Sequence, residues 1–299
     1  MAEKQHYVPK VYLKHFTEDG HFYSATAKGK YYSGPQKKHT NEVCYISDFY
    51  DQKNLQEESK IKFIERNAFS YEDRDLSRIF RLFIEKSKFI SKPDHQKLIE
   101  MYLSIKHRNL FIRNFFKQTN YEKIVDKEIS KFYTYKDVLE ELAQKPFVEL
   151  VENIKRGILD DKEIGDTFHK ESIVRQKDEI NLPINDVQRY LSKLRIFILE
   201  PVEQEDYFIT SDNPGFTIVD KVKVFNTNFG RFDAVGFPLN SKQLMFLTTN
   251  DDSHPLNVSK KIHYRKIASE FVFEYNTCST FNSISYILCR ATASKYLNH

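Results

Sequence analysis

Tryptophan is absent from this 299-residue chain, glycine occurs only 8 times and cysteine only 3 times. The glycines form no phosphate-cradling or nucleophile loop, since GxxxxGK[ST], GxGxxG and GxSxG are all missing. Nucleoside-triphosphate hydrolysis, dinucleotide binding and α/β-hydrolase chemistry are therefore disfavoured. Cys44, Cys278 and Cys289 are odd in number, far apart and free of CxxC spacing. They support neither a disulfide framework nor a structural zinc site, and they suit a reducing cytosol. The histidines show no HxH, HxxxH or HExxH spacing, so no metal site and no cofactor is expected. No run of about twenty apolar residues is long enough to span a bilayer. Met1-Ala2-Glu3-Lys4 leads into no apolar core of a signal peptide. The expectation is a soluble cytoplasmic protein with no membrane partner.

What the chain does have is aromatic residues, 25 Phe and 18 Tyr, beside a formal net charge of +4. Such mild basicity permits a nucleic-acid partner without requiring one. The aromatics are dense where a chain is normally frayed and polar: Gln5-His6-Tyr7-Val8-Pro9 runs into Val11-Tyr12-Leu13-Lys14-His15-Phe16. This N-terminus should be tied into the fold and hold His6 with it.

The length suits one large domain or two ordinary ones, and the whole chain reads as a single domain. Residues 1–57 form an N-terminal segment in which Pro9 opens a short helix and His21-Phe22-Tyr23-Ser24 pairs with Lys30-Tyr31-Tyr32-Ser33 as a hairpin. Residues 34–57 read as irregular, anchored by Asp48-Phe49-Tyr50. From 58 to 197 the apolar spacing is helical, interrupted at Ser91-Lys92-Pro93-Asp94, Thr119-Asn120, Gly157, Gly165 and Pro183, which predicts five or six helices. From 198 to 299 short apolar runs predict antiparallel strands at Ile196–Val202, Tyr207–Thr210, Phe216–Val219, Lys221–Phe225, Gln243–Thr248 and Lys261–Ile267, and a closing helix over Ser279–Leu297. Helices followed by strands make an α+β fold, with helices packed on a mostly antiparallel sheet.

The sharpest anomaly lies in the predicted helix Asp94–Lys117. Met101, Ile105, Ile112 and Phe115 form one stripe with Arg108 in its middle, and an arginine is not desolvated without a partner. The preceding helix places Glu72 among Ala68, Phe69, Leu76, Ile79 and Phe83, with Glu65 two turns upstream. Glu72 and Arg108 are therefore expected to meet, as an ion pair or in a shared polar pocket. Thr210-Ser211-Asp212-Asn213-Pro214-Gly215 must end a strand, because Pro214 lacks a ladder donor and restricts Asn213. Sites are often built at such strand ends, although Asp212 and Asn213 can equally cap their own turn. His6 is the candidate proton carrier, since its side chain titrates near neutrality. A basic run, Lys86, Lys88, Lys92, Lys97, Lys106, Arg113 and Lys117, interleaved with Phe89, Phe111 and Phe116, reads as a solvated helix face in preference to a phosphate-tracking surface.

Taken in order, His6-Tyr7-Val8-Pro9 with Tyr12-Leu13 and Phe16, Asp48-Phe49-Tyr50, Glu65, Glu72, Arg108, Thr210-Ser211-Asp212-Asn213-Pro214, Phe237-Pro238-Leu239, and Asn282 with Ala293-Ser294-Lys295-Tyr296 resemble the domain of unknown function 4238 family. The chain departs from that pattern at Gly215 and at Arg108-Asn109-Leu110. The resemblance implies a bacterial or phage-borne cytosolic protein, helical first and β-containing afterwards, and implies no activity. It singles out His6, Glu72, Arg108, Ser211, Asp212 and Asn213, and it adds Asn282.

Three functional readings follow. In the first, the protein is a metal-independent nuclease or other enzyme acting on a phosphate ester, nucleotide or nucleic acid. There His6 is the general acid/base, Arg108 the anion clamp, Asp212 the group that orients His6 and Glu72 a further catalytic carboxylate, while Ser211, Asn213 and Asn282 bind substrate. In the second, the same residues form a structural network in a non-enzymatic sensor or interaction protein. In the third, Glu65, Glu72 and Asp212 hold a metal for hydrolysis. Convergence of His6, Arg108 and Asp212 on a solvent-open pocket favours the first, and sealing from solvent favours the second.

Overall fold

Tyr7, Val8, Tyr12, Leu13 and Phe16 are all buried in the computed structural model of the chain, so the N-terminal segment is part of the core. The structure describes residues 4–28, 31–32, 35–47, 49, 72–175, 183–219, 222–224, 233–249 and 260–290. Strand β1 (Lys4–His6) pairs antiparallel with β5 (Tyr45–Ser47). Pro9, with φ fixed at −58°, then starts α1 (Lys10–Leu13), which tightens into a 3₁₀ turn over Lys14–Phe16. One helical turn separates Tyr12 from Phe16, and their ring centroids lie 5.2 Å apart. Burying each such ring contributes roughly 1.5–3 kcal/mol, enough to hold a segment this short against fraying.

The expected hairpin forms between β2 (His21–Lys28) and β3 (Tyr31–Tyr32). Residues 34–57, read as irregular, contain β4 (Gln36–His39), which pairs with β2, as well as β5. Phe49 is buried, while Asp48 and Tyr50 lie outside the described residues.

Between residues 72 and 191 the described chain has eight α-helices, more than the spacing predicts. They are α2 (Glu72–Ile84), α3 (Lys92–His107), α4 (Leu110–Gln118), α5 (Tyr121–Ser130), α6 (Lys136–Ala143), α7 (Phe147–Leu159), α8 (Ile164–Arg175) and α9 (Pro183–Leu191). The continuous helix expected over Asp94–Lys117 is two helices, because Arg108 takes φ −89° and ψ 2° as the C-cap of α3. Asn109 Oδ1 then accepts from Ile112 N–H at 3.0 Å, which starts α4. The single stripe through Arg108 therefore does not exist, and Phe115, placed on it, is 60% exposed. Conversely, Gly157 does not break its helix but sits inside α7.

The chain divides into two compact units, one of residues 1–112 with 173–299 and one of residues 113–172. The second has a small core of Val125, Ile129, Phe147 and Val151. Within it, Arg113 clamps both oxygens of Asp166, at 2.7 Å each.

The first unit is built on a seven-stranded sheet of order β10-β9-β11-β12-β7-β13-β6. Its strands are β6 (Phe89–Ile90), β7 (Arg195–Pro201), β9 (Phe216–Val219), β10 (Val222–Val224), β11 (Ala234–Asn240), β12 (Gln243–Thr248) and β13 (Lys260–Ile267). Pairing is antiparallel except between β7 and β13. Both faces are covered, so the inner strands β7, β11 and β12 are buried or half-buried at every position. Ile196, Ile198, Met245, Leu247, Val235 and Phe237 join the core that contains the N-terminal aromatics, α2 and α3. Leu199, Leu244 and Phe216 form a second core with Phe208 and with Val272 of α10 (Ser269–Asn282). Strand β11 escapes the sequence reading because Gly236 and Pro238 interrupt its apolar run.

Gly236 is required by packing. It pairs with Phe216, whose buried ring stacks on Tyr275 at 5.2 Å, and a Cβ at 236 would enter that ring. Gly236→Ala is expected to cost about 1–3 kcal/mol, as overpacking a closed core does, measured by urea unfolding.

A second sheet, β3-β2-β14-β8 with β4 also on β2, contains β8 (Thr210–Ser211) and β14 (Tyr286–Cys289). The closing segment differs from expectation: the helix runs earlier, as α10, and Tyr286–Cys289, read as helical, is a strand between β2 and β8. Residues 291–299 lie outside the described residues. The expected strand Tyr207–Thr210 shrinks to Thr210–Ser211. The α10 side chain of Asn276 takes its place, accepting from Ile209 N–H at 3.0 Å and donating to the Tyr207 carbonyl at 2.8 Å. Among the described residues, no helix is long and apolar enough to cross a membrane.

Candidate functional site

Pairing of β8 with β14 fixes where the Ser211–Gly215 run goes, since Ser211 stands opposite Ile287 and the chain then leaves the sheet edge. It leaves toward the turn that joins α10 to β14. The Asp212 amide donates to the Tyr286 carbonyl at 3.1 Å. The Asp212 carboxylate accepts from Ile284 N–H at 2.9 Å and from Ser285 N–H at 2.7 Å, one on each oxygen. Asp212 thus caps the turn after α10, and it is fully buried. Burial pushes its pKa up to about 6, against the pull of the backbone N–H groups.

Asn213 is the hub. Its Oδ1 accepts from Asn109 Nδ2 at 2.8 Å and from the ammonium of Lys106, while its Nδ2 donates to the Asn282 carbonyl at 3.0 Å. Its own amide donates to Ser211 Oγ at 3.2 Å, closing a local turn. Lys106 also donates to the Pro214 carbonyl at 2.7 Å, and Asn282 Nδ2 donates to the Gly215 carbonyl. Gly215 takes φ +86°, a left-handed geometry that strains any side chain.

Lys106 overturns its reading as part of a solvated helix face, because it has no exposure at all. Burial drives its pKa well below the ordinary lysine value, and the nearby Asp212 carboxylate opposes that shift. The acid is shifted up and the base down, so the gap between the ion pair and its neutral form narrows.

The N-terminal segment supplies the other wall. The Tyr7 amide donates to the Cys44 carbonyl at 3.0 Å. Cys44 itself is held at φ +54°. Burial raises the pKa of both side chains, and the Asp212 charge adds to the effect. The Tyr12 hydroxyl donates to the Pro238 carbonyl at 2.9 Å and lies 2.7 Å from Thr210 Oγ1, the residue before Ser211. Tyr12→Phe orphans both buried partners and is expected to cost about 1–3 kcal/mol, read as a lowered midpoint in urea without a change in slope.

His6 is half-buried, with Nε2 3.2 Å from the Thr40 carbonyl. Its pKa is lowered to about 4, first by burial and then by the charges of Lys10 and Arg108. The imidazole is therefore neutral at pH 7. Arg108 is 2% exposed at the C-cap of α3, and its charge reaches His6. Thr40, and not Asp212, receives His6 Nε2. The expected meeting of Glu72 with Arg108 lies outside what is described, since only the backbone of Glu72 is placed, and Glu65 lies outside it entirely. Among the described residues no group of three or more His, Cys, Asp or Glu side chains is placed to hold a metal ion.

The structure thus brings Ser211, Asp212, Asn213 and Asn282 into one bonded cluster, with His6 and Arg108 electrostatically linked on the N-terminal side. Sequence reasoning missed Lys106, Asn109, Asn276 and the Tyr7–Cys44 pair. Lys106 was legible in part, four residues after Tyr102 on the buried side of α3. Asn109 had the form of an N-cap ahead of Leu110-Phe111-Ile112.

A family model described as "Protein of unknown function (DUF4238)" matches residues 4–292. No curated protein and no solved structure matches the chain.

Proposed function

This chain belongs to the DUF4238 family, and on that premise we propose that its polar centre is a structural lock in a non-enzymatic sensor or interaction protein. The lock ties the N-terminal segment and the end of α3 to the end of β8. One observation carries this reading: the hydrogen bonds of the cluster run to groups of the protein itself. Both oxygens of Asp212 are taken by backbone N–H groups, and Asn213 is engaged by Lys106, Asn109 and Asn282. Ser211, Asp212, Asn213 and Arg108 are each at most 2% exposed. Groups that act on a substrate point acceptors or donors at the place where it will sit; these point at the protein. On this reading the protein works in the bacterial cytoplasm, where the thiols stay reduced.

A second reading, a metal-independent enzyme acting on a phosphate ester, nucleotide or nucleic acid, is favoured by a different observation. His6 is neutral and within reach of positive charge from Lys10 and Arg108. A proton carrier beside a cation is what such chemistry employs.

One experiment separates them. Purified protein is incubated with labelled DNA, RNA and a nucleotide panel, with and without magnesium or manganese, beside His6→Ala, Arg108→Ala and Asp212→Ala, and each variant is also melted. The lock reading expects no turnover by folded wild type and lowered melting of Arg108→Ala and Asp212→Ala. Turnover by wild type, abolished in variants that melt normally, overturns it in favour of the enzyme.

A further inference from the structure

Away from the polar centre, a cleft of about 570 Å³ opens at the end of the seven-stranded sheet where the parallel neighbours β7 and β13 both finish. In sheets with parallel strands, ligands bind outside the carboxyl ends of those strands, and this volume falls within the usual range for small-molecule sites. Its walls come from four separate parts of the chain: the 3₁₀ turn after α1, the turn after α2, the ends of β7 and β13, and the turn between β11 and β12. Each contributes a lysine: Lys14, Lys86, Lys266 and Lys242.

The charges of the cleft do not balance. Among the described lining residues, Glu200 and Glu203 are the only acids that oppose the four ammonium groups, which leaves two positive charges. Glu200 is buried and pre-organised, accepting from Gln243 Nε2 at 3.0 Å and from Lys86 at 2.9 Å, with Lys266 at 3.4 Å. Those bonds use only part of the donor capacity of each ammonium. Lys242 is held by the carbonyls of Gln204 and Asp206 and lies 3.5 Å above the Tyr207 ring, so its position is fixed before any ligand arrives. The Lys14 ammonium is exposed and in no ion pair among the described residues. The His15 ring packs on Phe80 at 4.0 Å, and with Ile84 and Val202 it gives the cleft an apolar side.

We propose that this cleft binds a small molecule bearing a dianionic phosphate group, its charge neutralised by the lysines and its body resting on His15, Ile84 and Val202. Two surplus positive charges match one phosphate monoester, and lysines approaching from several directions suit a tetrahedral anion. The site shares no side chain with the polar centre, so it stands whether that centre is a lock or a catalytic site.

Isothermal titration of the full chain at low and at 0.3 M salt tests this with four probes: inorganic phosphate, adenosine 5′-monophosphate, adenosine and malonate. Phosphate and the monophosphate are expected to bind saturably and to weaken with salt, while adenosine does not bind. Lys14→Glu and Lys266→Gln, both at exposed positions, are each expected to weaken the monophosphate, the first at least tenfold, and Lys14→Glu, which breaks no ion pair among the described residues, is expected to melt like wild type. Absence of binding by both phosphate probes, equal binding of malonate, equal binding of adenosine, or unchanged affinity in both variants each overturns the proposal.

Discussion

Asn213→Ala is expected to remove about 4–6 kcal/mol of folding stability, the largest loss from any single substitution in this cluster. The estimate comes from what is left behind more than from what is deleted. Asn213 Oδ1 is shared by Lys106 and Asn109, both without exposure, and Nδ2 satisfies the Asn282 carbonyl. Truncation leaves two buried donors and one buried acceptor unpaired, one of them on an ammonium, and each unpaired buried group costs about 1–3 kcal/mol. Asn109 keeps its capping bond to Ile112, so α4 itself should persist. The loss should therefore appear as global destabilisation in urea, with unchanged helical content in the folded baseline. Asn213→Asp makes the comparison sharper, because it retains the acceptor for Lys106 and Asn109 while turning the donor to Asn282 into an acceptor whose charge the Lys106 ammonium balances. It should lose clearly less than the alanine variant. Equal losses in the two would mean that the shared acceptor is not the centre of the cluster.

That centre was only partly legible in the sequence, for identifiable reasons. Short apolar runs bounded by turn residues located β7, β9, β12 and β13 closely, because a brief run of apolar and β-branched residues between turn signals marks a strand. The aromatic N-terminus correctly announced its own burial. Asp212 and Asn213 could be named as special because Pro214 forces the strand to end. What could not be read was which long-range partner each polar atom would find. The position of Lys106 on the buried side of α3 does not name its partners until α3 is packed against Asn213 Oδ1 and the Pro214 carbonyl. Asn276 replaces a strand ladder for residues 207–209 with a side chain that sits some seventy residues away, a substitution no local pattern signals. Tyr286–Cys289 alternates too briefly to distinguish a strand from a helix, and only its place between β2 and β8 decides. The break at Arg108 was missed because the apolar spacing continues through it, although Asn109 already had the side chain to start a new helix.

The same burial makes the cluster sensitive to pH in a direction that can be worked out. The Asp212 carboxyl has its folded pKa raised from 3.8 to about 6, with burial the leading cause. The folded state therefore binds the proton more tightly than the unfolded chain. A raised carboxyl contributes stability that is fully present below the unfolded pKa and is lost as pH rises through the folded pKa. A shift of about two units corresponds to roughly 3 kcal/mol, lost between about pH 4 and pH 6. Lys106 acts in the opposite sense at its own titration, since a lowered amine favours the fold most at high pH and loses that contribution as pH falls through the lowered value. Asp212→Asn isolates the acid: an amide resembles the protonated carboxyl in shape and cannot ionise. Relative to wild type, the variant should gain about 3 kcal/mol between pH 4 and pH 7.5, whatever its absolute stability, because only the wild type bears the cost of a buried anion at the upper pH. Urea unfolding of both proteins at the two pH values measures this difference directly. A difference that stays flat, or that grows in favour of wild type as pH rises, would show that the backbone N–H groups of Ile284 and Ser285, together with Lys106, repay the burial of the carboxylate in full. Asp212 would then be an ordinary ionised cap rather than a group held close to neutrality.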